Sequence, residues 1–156
     1  MNRAAHLARL AVGEPHLVEH RTFWQHCAAG ELRFQRCAEC ATWRHPPGPR
    51  CPACHSVNVR WERAPEGAQL YSYTVVHHPA TPALKDALPY NVAIVAFPAA
   101  GSLRLISCVI DAHPGELAIG MPLALAWARS ADGQALPVFT RSVDPSTPTG
   151  RRQEAP

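Results

Sequence analysis

Two Cys-x-x-C pairs, Cys37/Cys40 and Cys51/Cys54, constrain this chain more than any other stretch, and ten residues separate them. A Cys-x-x-C turn points two thiolates at one centre, and two such turns complete a tetrahedral S4 shell. Zn²⁺ suits that shell because it is borderline-soft and has no geometric preference of its own. Four cysteine ligands leave no position for water, so the ion would brace the fold without doing chemistry. Two disulfides or a redox pair are the competing readings. Redox Cys-x-x-C motifs usually come singly and open a helix, which Pro46, Pro47, Pro49 and Pro52 forbid here. The expected cofactor is therefore a structural zinc ion on Cys37, Cys40, Cys51 and Cys54.

A zinc ribbon has almost no core and needs its metal in order to fold. The rest of the 156-residue chain must bury its own apolar residues. Sixteen prolines argue against long helices and favour short strands between turns. Charge is mild and uneven. From Gly30 to Arg63 six arginines face three glutamates, a balance of +3. Four thiolates on Zn²⁺ carry a net −2, which brings the ribbon to about +1. From Ala64 to Arg141 four basic residues face five acidic ones, a balance of −1. Neither half is the basic stripe of a nucleic-acid binder. His6 and Arg9 interrupt the only apolar stretch near the start, and no run approaches the ~18 residues of a membrane span. Together with a thiolate zinc site, this points to a reducing cytoplasm.

Along the chain, residues 1–13 read as a loose arm. The pattern Leu17, Val18, Phe23, Trp24 and Cys27 predicts a short amphipathic helix stopped by Gly30. Phe23 and Trp24 read better as an anchor onto the ribbon than as a stripe for a partner. Leu32 and Phe34 start a strand into the first knuckle, and Val57 to Glu62 alternates out of the second. Pro65-Glu66-Gly67 marks a boundary. Five strands are expected beyond it: Ala68 to His77, Tyr90 to Phe97, Ser102 to Ile110, Leu123 to Arg129 and Leu136 to Arg141. Tyr90 to Phe97 is apolar on both faces, which implies cover on both sides. The expected fold is mainly β: an N-terminal arm and helix over 1–30, a rubredoxin-like zinc ribbon over 31–64, and a five-stranded OB-fold barrel over 65–142. Residues 143–156 are expected to be disordered.

Read together, several stretches resemble the acyl-CoA-associated zinc-ribbon/OB-fold family, long listed as a domain of unknown function. They are Phe23-Trp24, Gly30-Glu31-Leu32-Arg33-Phe34-Gln35-Arg36-Cys37, the two cysteine pairs and Pro89-Tyr90-x-Val92-Ala93. Ser107, Asp111, Ile119-Gly120-Met121 and Asp132-Gly133-x-x-Leu136-Pro137-x-Phe139 follow in order. Two positions depart from the pattern. Ala41 replaces the glycine common after the second ligand cysteine, which asks for a slightly different knuckle turn. Phe97-Pro98 stands where an acidic residue often ends the strand. The resemblance implies a non-catalytic accessory subunit in lipid, polyketide or steroid side-chain metabolism. Its partner would be a thiolase-like enzyme (ketothiolase, acyltransferase or aldolase) or a MaoC-type hydratase. The barrel would lie near the acyl-CoA, with the ribbon as a docking module.

The residues themselves offer little chemistry. Cys108 reads as a small buried hydrophobe and Cys27 as packed in the helix. His77 and His78 face opposite ways on a strand end, so only one could address a given pocket. Asp111 reads as the cap of a turn over Pro114 to Ile119. There is no Ser-His-Asp order, paired carboxylate or phosphate-cradling loop, which leaves an independent thioesterase or hydratase poorly supported. Arg44, Arg50 and Arg60 beside Trp43 and Trp61 could meet a CoA group, although solvated arginines and core tryptophans are the plainer reading. The apolar loop from His78 to Pro89 would ask for a partner if exposed. A single-stranded nucleic-acid module is the alternative from another class, with Tyr71, Tyr73 and Tyr90 as its stacking residues.

Overall fold

The computed structural model describes residues 5–142; the tail expected to be disordered lies outside them. The helix α1, Val18–Ala28, buries Phe23 and Cys27 and ends before Gly30, whose φ of 74° is the left-handed stop that glycine supplies. Strands β1 (Arg33–Cys37), β2 (Trp43–Arg44) and β3 (Val59–Arg63) form an antiparallel sheet in the order β2-β1-β3. The ribbon hangs on this sheet, with Phe34 paired to Glu62 and Cys37 to Val59.

The second half is built from β4 (Gln69–Val76), β5 (Tyr90–Ala96), β6 (Arg104–Ser107), β7 (Leu123–Arg129) and β8 (Ala135–Arg141). β4, β5 and β6 pair in antiparallel order, as do β7 and β8. Backbone bonds close the ring at two seams. Leu123 N donates to Ala68 O at 2.8 Å and Leu70 N to Met121 O at 3.0 Å, which joins the starts of β4 and β7. Phe139 N donates to Cys108 O at 2.9 Å and Ile110 N to Phe139 O at 2.8 Å, a parallel bridge from beyond β6 to β8. The ring β4-β5-β6-β8-β7 is the closed OB arrangement, which removes exposed sheet edges at both seams.

Alternation decides what fills the barrel. Ala93, Val95 and Leu105 point inward and are buried, while Val92, Ile94 and Ile106 point out. One continuous core runs from the helix through the ribbon into the barrel. Its spine is aromatic: Phe23 lies 6.4 Å from Phe34, Phe34 lies 5.1 Å from Phe97, and Phe97 lies 6.3 Å from Phe139, centroid to centroid. Phe97, at the position where an acidic residue is commoner, is thus fully buried core.

The structure corrects the expectation of a loose arm. His6 is 4% exposed and stacks on Tyr90 at 4.3 Å, and Leu7–Arg9 forms a 3-10 turn against the barrel. Arg9 Nη1 donates to Ala83 O at 2.7 Å, and Ala131 N donates to Leu10 O at 2.8 Å. The Asp132 carboxylate accepts from Gly13 N at 3.0 Å and Val12 N at 3.3 Å. Asp111 differs too. It accepts from Arg141 N at 2.9 Å and ties β8 down, whereas His113 and Glu116 cap the turn at Pro114–Glu116. No helix among the described residues is long and apolar enough to cross a membrane.

Candidate metal centre and apolar groove

The two knuckles are built alike. Cys37 N donates to Thr42 O and Ala41 N back to Cys37 O; Cys51 N donates to Ser56 O and His55 N back to Cys51 O. Each loop closes on a residue in the left-handed region, Ala41 at φ 60° and His55 at φ 61°. The expected change in the first turn therefore does not occur. Ala41 adopts the glycine-type conformation instead. None of the four cysteines is in a disulfide, and their Sγ atoms lie within 4.8 Å of one another. Cys37 Sγ and Cys54 Sγ are 3.5 Å apart, as are Cys40 Sγ and Cys51 Sγ. Zn–S bonds of about 2.3 Å place tetrahedral sulfurs about 3.8 Å apart, so the donor set fits Zn²⁺ closely.

Sulfurs this close do not ionise independently. The Thr42 hydroxyl, 3.2 Å from Cys40 Sγ, holds that thiol down to about 6. Cys54, despite the Ser56 amide that lowers it, is pushed up to about 12 by Cys40 and Cys37. A divalent cation at the centre offsets that repulsion, which couples metal binding to folding of the loops. Supporting contacts fix the surroundings. Gln35 Oε1 accepts from Arg44 Nε at 2.6 Å and from Gly48 N at 2.8 Å, pinning the proline-rich insert. Arg44 is only 7% exposed and so cannot meet CoA from the surface; Trp43 lies under Arg36, and Trp61 lies against His26.

Helix, ribbon, arm and barrel meet around a cavity of about 730 Å³. Trp24 and His45 line it on the helix and ribbon side, Leu7 and Leu10 on the arm, and Ile94 and Ile106 on the barrel. Phe23 does act as the anchor, packing on Phe34 and on His45 at 4.9 Å, while Trp24 O accepts from Gln134 of the barrel. Burial pushes the His45 imidazole down to about 4, with neighbouring His20 adding to the effect. Burial pushes the thiols of Cys27 and Cys108 up to about 12, which makes both poor nucleophiles at neutral pH. His77 and His78 are exposed and lie outside the cavity. Leu84 of the 78–89 loop folds inward and is buried. Sequence reasoning missed the groove. The two-sided apolar character of β5 was its signal, since Val92 and Ile94 form part of its wall.

The ChsH2 rubredoxin-like zinc ribbon domain matches residues 24–60, and the ChsH2 C-terminal OB-fold domain matches residues 61–128. A chain of the solved Ltp2-ChsH2(DUF35) aldolase is 37% identical, with a TM-score of 0.73, over 83% of this chain and 100% of that one. This chain belongs to the ChsH2 zinc-ribbon/OB-fold family. A DUF35 protein of unknown function from Sulfolobus solfataricus shares the fold, with a TM-score of 0.54 at 15% identity over 89% of this chain and 94% of that one. A probable enoyl-CoA hydratase alpha subunit from Thermomonospora curvata is 39% identical over 83% of this chain and 40% of the relative. The 3-oxo-4,17-pregnadiene-20-carboxyl-CoA hydratase alpha subunit of Mycobacterium tuberculosis is 32% identical over 65% of this chain and 31% of the relative. The chain thus spans well under half the length of these two relatives. Within the ChsH2 family the rubredoxin-like ribbon is a zinc module, and the four cysteines are positioned for that ion.

Proposed function

We propose that this chain is a non-catalytic accessory subunit that docks on a thiolase-like or MaoC-type acyl-CoA enzyme and helps form its acyl-CoA site. Zinc on Cys37, Cys40, Cys51 and Cys54 is structural. In this division of labour residues 31–64 are the docking ribbon and 65–142 the barrel beside the acyl group. The observation that carries the proposal is the match of 83% of this chain to the whole of a chain of the Ltp2-ChsH2(DUF35) aldolase. A tetrad with no place for a fifth ligand and two deeply buried, unreactive thiols are consistent with it. The nucleic-acid alternative gains nothing, because its three tyrosines are engaged. Tyr71 lies under Arg104, Tyr73 OH donates to Leu117 O, and Tyr90 is stacked under His6.

Co-purification with a candidate thiolase-like or MaoC-type enzyme from the same genome, followed by assay of that enzyme with and without the chain, is the test. A partner fully soluble and active alone would refute the proposal. Cys37→Ser is expected to lose stoichiometric zinc and assembly together, read by metal content and co-purification. Normal assembly without zinc would refute the bracing role.

A further inference from the structure

Arg44 carries the one buried guanidinium among the described residues. Two of its nitrogens are held: Nε donates to Gln35 Oε1 at 2.6 Å and Nη2 to Gly48 O at 3.0 Å. Both acceptors are neutral. Nη1 is buried and meets no acceptor among the described residues, and none of their carboxylates lies within ion-pair distance of Arg44. The carboxylates of the ribbon are engaged elsewhere: Glu31 by Arg33 and Arg63, Glu62 by Arg36, and Glu39 by Asn58. A guanidinium stays protonated in any fold, so it cannot shed its charge as a buried lysine can. A buried charge left without a counter-charge is strongly destabilising. The ribbon must therefore supply an anion that is not a carboxylate.

The strand register says which. Residues facing each other across an antiparallel pair share a face, so Arg44 lies on the face of its partner Gln35. Cys37 is two positions further along β1, on that same face and also buried. Gly48 covers the guanidinium from the insert, three residues ahead of Cys51. Arg44 is thus enclosed between a ligand strand and the loop that joins the two knuckles. Four thiolates on a divalent ion carry a net −2, and four on a trivalent ion a net −1. An S4 shell by itself suits zinc and iron alike. Charge, not shape, separates them here.

We propose that Arg44 is the buried counter-ion of the tetrathiolate centre, favouring its dianion and so selecting a divalent ion over trivalent iron. The assignment rests on the four-cysteine metal site and not on the accessory role, because every readout is taken on the isolated full chain. A unit charge on the order of 10 Å away, at an effective dielectric of about 20, shifts an equilibrium on the order of tenfold. Arg44→Gln should therefore weaken zinc binding roughly tenfold or more, read by competition with a chromophoric chelator. Loaded with iron, the centre exchanges one electron with an electrode between Fe(III) and Fe(II) and keeps all four thiolates. The same variant should lower that midpoint potential by about 59 mV, the equivalent of tenfold for a one-electron couple. Gln35→Glu decides the matter if the first variant fails to fold. Its carboxylate still accepts from Arg44 Nε and Gly48 N but cancels the guanidinium charge, so zinc affinity and potential should both fall. A purely structural role for Arg44 predicts no fall, since both hydrogen bonds survive. Arg60→Gln is the control for exposure: Arg60 sits beside the Cys37–Val59 pair but in solvent, where its field is screened. Its shift should be a small fraction of the other two. An unchanged zinc affinity or potential in Gln35→Glu, or an Arg60→Gln shift as large as that of Arg44→Gln, overturns the assignment.

Discussion

Replacing Ala41 with glycine should tighten zinc binding. Ala41 closes the first knuckle at φ 60°, and its side chain is exposed, so no packing is lost with the methyl. A left-handed residue with a Cβ costs about 1–2 kcal/mol, which glycine avoids. Glycine returns about 0.5–1 kcal/mol of that through the greater freedom of the unfolded chain. The net gain is about 0.5–1 kcal/mol. Because the ribbon folds with its metal, the gain appears as a roughly two- to fivefold higher zinc affinity. Competition against a chromophoric chelator at fixed pH reads it directly. Ala38→Gly is the matched control: it lies in the same loop, lacks a positive φ and should weaken zinc binding. If both substitutions shift affinity in the same direction, backbone strain at Ala41 is not what sets the knuckle's stability.

Two further perturbations report on pH. His45 is neutral in the fold because burial, and secondarily His20, holds its pKa at about 4, against 6.5 when unfolded. Its contribution is fully present above 6.5 and is lost as pH falls towards 4, up to about 3 kcal/mol in all. The urea midpoint should therefore fall more steeply from pH 7 to 5 in the unaltered chain than in His45→Phe; parallel slopes would refute this. Asp132 is held down to about 2, first by the Ser130 hydroxyl and then by the Gly13 amide. Its hold on the arm is complete above its unfolded value of 3.8 and is lost as pH falls through about 2. Asp132→Asn should release the arm at neutral pH, read as faster hydrogen exchange at Val12 and Gly13; unchanged protection would contradict the clasp.

What was legible in the sequence was what spacing and alternation encode locally. The metal tetrad follows from two short motifs, and β7 occupies the span that its alternating residues mark, Leu123–Arg129. The arm was not legible because its partners are remote: Gly13 and Asp132 are 119 positions apart. Arg44 looked like a surface cation because its acceptor, Gln35, lies on the neighbouring strand. Asp111 has a turn beside it in sequence, yet its carboxylate goes to Arg141, across the ring seam. In each case a polar side chain was claimed by a distant backbone or side-chain group that no local pattern announces. Ala41 was misjudged differently. The chain tolerates a costly torsion because the metal ligands on either side dictate the loop.

The aromatic file from Phe23 through Phe34 and Phe97 to Phe139 makes ribbon and barrel one packed body although each matches a domain model of its own. Cutting the chain after the second knuckle would strip Phe97 of its cover and leave Phe34 facing water. Neither fragment would inherit a complete interior. Loss of the metal should accordingly be felt in the barrel as one concerted melting event.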